Sequence, residues 1–222
     1  MRNRRLQGRI TAGRFTLPAV ILICIVCWIG TSILLPAMSS EKEAGYALWQ
    51  SVCTLYLPAW ADRVISFMLY AAIGYFLIEL NNTFAIIRMR ASVQTSIYFL
   101  LVTICPGMHL LYAGDIAAVA FLISLFFLFK SYQHPRPVSY IFHSFVFIGA
   151  GSLLFPQLLY FIPLWLIGAY YFQSLTARSF CAALIGLSVS YWFLFGHAFF
   201  YGQMELCLLY TSPSPRDKRQ SR

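Results

Sequence analysis

Seven acidic residues and four histidines are the side chains of this sequence best able to hold a metal ion or move a proton. Glu41-Lys42-Glu43 forms an E-x-E pair, and Asp62, Arg63, His109, Asp115 and His197 sit at the ends of apolar runs on what the charge pattern makes the same side. Carboxylates and imidazoles in such a group orient a metal or act as a general base. The catalytic candidates are therefore Glu41, Glu43, Asp62 and Asp115. The competing reading treats all of these as hydrated residues at helix ends. Asp62 and Asp115 each precede an apolar run, where a carboxylate caps the helix and faces its positive dipole end.

A second group, Glu79, Asn81, Asn82, Arg88 and Arg90, lies on the opposite side. Glu79 is placed to pair with an arginine of the following loop, which is a structural role rather than a proton relay. His143, next to Ser144, falls within an apolar run and is expected to hydrogen-bond to a neighbouring helix. Cys24-x-x-Cys27 has redox-pair spacing, but in Ile-Leu-Ile-Cys-Ile-Val-Cys-Trp both thiols read as small hydrophobes. Cys53 and Cys105 fall near the outer side. No P-loop, G-x-S-x-G, H-E-x-x-H or dinucleotide fingerprint occurs, so no cofactor-binding residues and no metal ligand set are assigned, and the cofactor is unknown.

The elements that must position these residues are apolar. The chain is 60% hydrophobic and 10% charged, against about 25% charged in soluble domains. Lipid is the solvent that suits such a composition. Unbroken apolar runs, mostly about 15 to 21 residues long, indicate helices rather than the alternating strands of a barrel. The expected fold is all-α: a polytopic transmembrane helical bundle with about seven spans. They fall near 17–35, 64–80, 93–112, 116–132, 138–155, 158–172 and 180–200. The longest connection, 36–62, carries Tyr46, Trp49, Tyr56 and Trp60, which suit an interfacial helix. Pro106-Gly107 forecasts an early exit from the third span. Pro163 makes the ends of the sixth uncertain. Gly149-Ala150-Gly151-Ser152 permits close helix packing on the fifth.

Basic residues orient the bundle. Arg2, Arg4, Arg5, Arg9, Arg14, Arg88, Arg90, Lys130, Arg136 and Arg178 fall on one side, and only Lys42 and Arg63 on the other before the C-terminal tail. The positive-inside rule then makes residues 1–16 a basic cytoplasmic N-terminus. The formal charge of +9 is a topology signal, helped by anionic lipids at the basic inner face, and no nucleic-acid partner is implied. The partner is the lipid bilayer.

From Cys207 the chain reads Cys-Leu-Leu-Tyr-Thr-Ser-Pro-Ser-Pro-Arg-Asp, which resembles translated sequencing-adapter read-through. Residues 207–222 are therefore expected to be a non-native tail, with 17–206 the transmembrane domain and the natural chain continuing past Leu206.

Phe76-Leu-Ile-Glu-Leu-Asn-Asn-Thr-Phe84, Ile104-Cys-Pro-Gly107 and Gly149-Ala-Gly-Ser-Leu-Leu-Phe-Pro156 carry a further resemblance. Residues 76–186 resemble a family of uncharacterised bacterial polytopic inner-membrane proteins, some labelled beta-carotene monooxygenase. The resemblance implies a multi-pass protein of the bacterial inner (cytoplasmic) membrane and no particular activity. The labelled oxygenase chemistry needs an iron site of several histidines, and only His143 lies well within a run. The leading expectation is a multi-pass membrane protein with no inferable catalysis, an assembly or scaffold component. One rival is a membrane glycosyltransferase using a lipid-linked sugar donor. Such enzymes place an acidic pair in the first large outer loop, where Glu41 and Glu43 lie. The other rival is a transporter with polar or broken helices meeting near Pro163.

Overall fold

The computed structural model describes residues 16–34, 49, 59–85, 91–105, 109 and 111–200. Among the described residues every regular element is helical. Seven α-helices follow in order: α1 (Thr16–Leu34), α2 (Ala59–Phe84), α3 (Ala91–Ile104), α4 (Ala113–Lys130), α5 (Val138–Leu154), α6 (Ile162–Tyr171) and α7 (Ala177–Phe200), with a 3-10 helix over Pro156–Phe161. Three of them, α2, α4 and α7, are long and apolar enough to cross a membrane.

Each expected run contains a helix, but several ends differ. α2 starts at Ala59, so Trp60, Asp62 and Arg63 belong to its first turns rather than to the preceding connection. It runs on through Asn81 and Asn82 and stops at Ala85, whose φ of 47° is left-handed. α3 ends at Ile104, eight residues before the expected boundary and two before Pro106, which has no N–H to continue a helix. The sixth run splits. Pro156 leads a six-residue 3-10 helix, and the α-helix begins only at Ile162, with Pro163 in its first turn. α6 closes with a Schellman arrangement. The N–H of Ser174 donates to Ala169 O at 3.1 Å and that of Gln173 to Tyr170 O at 3.0 Å, with Gln173 at φ 55°. The expected N-terminal segment, the interfacial helix apart from Trp49 and Trp60, and the tail lie outside the described residues.

The chain divides into two compact units, with the boundary in the first turn of α4. The first contains α1, α2, α3 and the chain through Asp115. In the second, from Ile116 onward, Leu128, Ile141, Phe145, Ile148, Trp165, Ala169 and Ala183 form the buried apolar core. α5 and α7 run against one another at van der Waals distance, as the Gly-Ala-Gly-Ser sequence leads one to expect. A methyl at Gly186 would stand 2.7 Å from Phe142 O and 3.3 Å from Val146 N. One at Gly149 would stand 2.8 Å from Ser190 Oγ, and one at Gly151 would meet Ala120 Cβ at 3.0 Å.

Serine hydroxyls fasten the second unit. Ser124 Oγ donates to Ser144 O at 2.7 Å, and Ser144 Oγ donates back to Ser124 O at 2.9 Å. Both protons are thereby spent, leaving the oxygens as acceptors for Trp165 Nε1–H at 2.8 and 3.1 Å. One knot ties α4, α5 and α6. Tyr191 OH reaches Ser152 Oγ at 2.8 Å, and Ser190 Oγ donates to Val146 O at 3.1 Å, adding two ties between α5 and α7. Small residues and interhelical hydrogen bonds replace the hydrophobic effect as glue where the solvent is lipid.

The sharpest packing test is Gly186→Ala. Its methyl meets backbone that moves only if α5 moves, so the expected loss is about 1–3 kcal/mol. Gly30→Ala has open space around it and serves as the control. Unfolding of both variants in micelles by rising denaturing detergent should give a lower midpoint for Gly186→Ala and an unchanged or higher one for Gly30→Ala.

Candidate functional site

The first unit gathers a set of polar side chains that the helix period places together. On α2, Arg63, Phe67 and Tyr70 fall at i, i+4 and i+7, one face of the helix. On α1, Trp28 and Thr31 fall one turn apart. His109 comes from between α3 and α4, and Asp115 from the first turn of α4.

Asp115 is buried, not hydrated. Its Oδ1 accepts the Tyr70 hydroxyl at 2.8 Å, and its Oδ2 accepts the backbone N–H of Tyr112 at 2.9 Å. Tyr112 occupies the N-cap of α4, so Asp115 at the third helical position reaches back as the acidic half of a capping box. It caps the helix, as the sequence suggests, but from inside the first turn and not from in front of it. The bond to Tyr70 ties the start of α4 to the middle of α2.

His109 is 2% exposed. Its ring stacks on Trp28, with centroids 3.8 Å apart and planes 22° from parallel, and its Nδ1 lies 2.8 Å from Thr31 Oγ1. The Thr31 hydroxyl donates to Trp28 O at 2.9 Å, so its single proton is used and Nδ1–H of His109 is the donor to Thr31. Nε2 is then a bare acceptor with no hydrogen-bond partner among the described residues. Burial, and after it the positive charge of Arg63, hold the imidazole below its ordinary pKa and keep it neutral. Trp28 also donates its indole N–H to Arg63 O at 3.3 Å and meets Phe67 edge-on. Trp28 thus joins α1, α2 and His109.

Of the residues singled out in the sequence, the structure brings Arg63, His109 and Asp115 into the interior of one unit. Asp62 lies half-buried in the first turn of α2. Glu41 and Glu43 lie outside the described residues, and so does the side chain of His197, in the last turn of α7. Among the described residues no three His, Cys, Asp or Glu side chains form a metal-binding group. Cys24 is buried and accepts Thr103 Oγ1–H at 2.9 Å while Cys27 is exposed, so the two thiols serve different surroundings. Glu79 accepts the Thr83 hydroxyl at 3.3 Å, and Arg88 and Arg90 are not among the described residues. Among the described residues His143 has no hydrogen bond to a neighbouring helix. It bonds to Ser139 O of its own helix and stacks on Phe127 of α4.

Tyr70, Trp28 and Thr31 are the members of this group that sequence reasoning passes over. Each sits inside an apolar run, and the available signal was a polar tip at helical spacing from Arg63 or from its own neighbour. A cleft of about 240 Å³ between α1 and α2, lined by Ile25, Ile29, Trp60, Val64 and Phe67 with Trp28 and Arg63, is otherwise apolar and suits an acyl chain better than a polar substrate. Comparison with protein-family models, curated proteins and solved structures finds no match to this chain.

Two outcomes follow. Tyr70→Phe removes one donor from a buried carboxylate and should cost about 1–3 kcal/mol in the same unfolding measurement. His109 is neutral when folded, with a value below the roughly 6.5 of a solvated imidazole. Its contribution is therefore complete above pH 6.5 and lost as pH falls through the lower folded value. Stability measured from pH 7.5 down to 4.5 should show an acid loss that is smaller in His109→Gln.

Proposed function

We propose that this chain is a multi-pass protein of the bacterial inner membrane, with α1 to α7 as its seven spans and the N-terminus in the cytoplasm, and that it serves as a non-catalytic assembly or scaffold component. The observation that carries the reading is how the polar side chains are used. In lipid every polar group is costly, and a catalytic or transport protein keeps some of them directed at a substrate path. Here Ser124, Ser144, Ser152, Ser190, Trp165 and Tyr191 bond helix to helix, and Asp115 caps a helix while accepting from Tyr70; among the described residues only Gln94 Oε1, Tyr98 OH and His109 Nε2 are buried side-chain polar atoms without a partner.

The membrane assignment rests on three long apolar helices, on the shorter apolar helices α1, α3 and α5, and on the basic inner connections. The resemblance of residues 76–186 to bacterial inner-membrane proteins points to the same compartment. The glycosyltransferase reading needs an acid free to meet metal or acceptor. Asp115 accepts from Tyr70 and from the backbone of Tyr112, a positioning use that leaves the glycosyltransferase reading to Glu41, Glu43 and Asp62.

Topology is tested by single-cysteine labelling in intact cells with a membrane-impermeant maleimide, in a chain whose native cysteines are replaced. Gln157→Cys, between α5 and α6, should label from outside. Gln133→Cys, between α4 and α5, should label only after permeabilisation. Both side chains are exposed, whereas Ser131 is fully buried. The reverse pattern would overturn the orientation. The scaffold reading is tested by alanine at Glu41, Glu43 and Asp62 in a strain lacking the native gene. Each variant should complement in proportion to its folded amount. Loss of complementation at a normal protein level would instead show that those acids act beyond folding, as the glycosyltransferase reading requires.

A further inference from the structure

The turn between α4 and α5 gathers cationic and donor groups around one aromatic ring. Lys130 is the last residue of α4, and its Nζ lies 5.7 Å from the centre of the Phe126 ring and 5.6 Å from that of Tyr140 on α5. An ammonium is attracted to the faces of such rings, so the pair holds this long side chain in place. His134 meets the same Tyr140 ring edge-on, with centroids 4.7 Å apart. Its Nδ1 accepts the backbone N–H of Arg136 at 3.1 Å. The ring proton therefore sits on Nε2, and the remaining polar atom of the imidazole is a donor. Pro135 and Pro137 flank Arg136, and each fixes its own φ and restricts the residue before it. The backbone that carries His134 and Arg136 is thus stiff.

Lys130 Nζ, His134 Nε2 and the Arg136 guanidinium all donate, and all three side chains are exposed. No Asp or Glu occurs from Ile116 to Phe200, so the helices of this unit offer no carboxylate to answer them. The place is equally specific. With α4 and α5 as spans, Lys130 and Val138 mark where the two helices leave the hydrocarbon, and the exposed Tyr132 suits the head-group level. The anions fixed at that level are lipid phosphates, which lysine meets as a point charge and arginine as a bidentate partner.

We propose that this turn binds the head-group phosphate of an anionic phospholipid. Lys130 and Arg136 contact the phosphate, His134 Nε2–H adds a third donor, and Tyr140 positions Lys130. The acyl chains then lie in the bilayer beside the two helices. A basic inner face attracts anionic lipid in general, and this arrangement gives one such lipid a place. The inference rests on α4 and α5 being spans, which labelling at Gln133 and Gln157 tests separately.

The full chain, purified in a neutral detergent, is titrated with phosphatidylglycerol or with zwitterionic phosphatidylcholine, and bound lipid is counted by native mass spectrometry. One phosphatidylglycerol should bind at least tenfold more tightly than phosphatidylcholine. Lys130→Gln and Arg136→Gln should each weaken it about fivefold, the weight of one cation near an anionic surface, with phosphatidylcholine unchanged. Both positions are exposed, so these variants should keep the wild-type unfolding midpoint. Tyr140→Leu keeps every charge and should still weaken phosphatidylglycerol at least threefold, because Lys130 loses a ring that holds it. Equal binding of the two lipids overturns the proposal, and so does phosphatidylglycerol binding indifferent to both glutamine substitutions. An equal loss in Arg178→Gln, at the start of α7, would reduce the effect to diffuse attraction and overturn it too. Displacement of phosphatidylglycerol by an equal concentration of inorganic phosphate would show a free-anion site instead. If labelling places Gln133 and Gln157 on opposite sides and phosphatidylglycerol is not preferred, the topology stands and only this inference fails.

Discussion

The approach of α7 to α5 at Gly186 sets much of the second unit. With no side chain there, Phe142 O comes close enough that even a methyl would collide with it. At that separation the shorter polar side chains can bridge. Ser190 reaches Val146 O, and Tyr191 reaches Ser152, where a wider gap would strand both hydroxyls in an apolar interior. The glycines and serines are therefore one device. The first sets the distance and the second exploits it.

The two units spend polarity differently. In the second, hydroxyls and an indole are arranged so that each proton has an acceptor, as the knot of Ser124, Ser144 and Trp165 illustrates. In the first, ionisable groups enter the interior, and an aromatic side chain mediates between them. Trp28 lies against His109, meets Tyr70 at 5.9 Å between centroids and bonds to the backbone of Arg63. The hydroxyl arrangement is insensitive to protons. The ionisable one contains His109, whose neutral form is favoured by burial and by Arg63, so its stability depends on pH.

Much of the helical layout was legible because apolar runs this long leave few alternatives. The ends were not, and the reasons are particular. Asp62 and Arg63 read as a boundary, although a carboxylate such as Asp62 is welcome in a first helical turn, and α2 begins before them. α3 makes the early exit that Pro106-Gly107 forecasts, but its end at Ile104 lies well short of the expected 112, and Pro156 diverts the sixth run into 3-10 geometry. In the site, Asp115 was legible as a cap because its partner is three residues away. Its tie to Tyr70 was not, because the two are 45 positions apart and a tyrosine in an apolar run reads as filler. The serine knot escaped for the same reason. Each serine is ordinary alone, and only the pairing of α4 with α5 gives it meaning.

The 3-10 segment has a consequence for length. Six residues at about 2.0 Å each, followed by the ten of α6 at about 1.5 Å, reach about 27 Å end to end. The same sixteen residues wound wholly as α-helix would reach about 24 Å. The tighter winding, usually counted as a weakness because its hydrogen bonds are poorer, here draws a short stretch of chain out toward the roughly 30 Å of a hydrocarbon layer. The proline that denies Pro156–Phe161 an ordinary helix thus lengthens the stride of the chain where it has fewest residues to spare. A thin bilayer would relieve the remaining mismatch, and a thick one would strain this segment before α2 or α7.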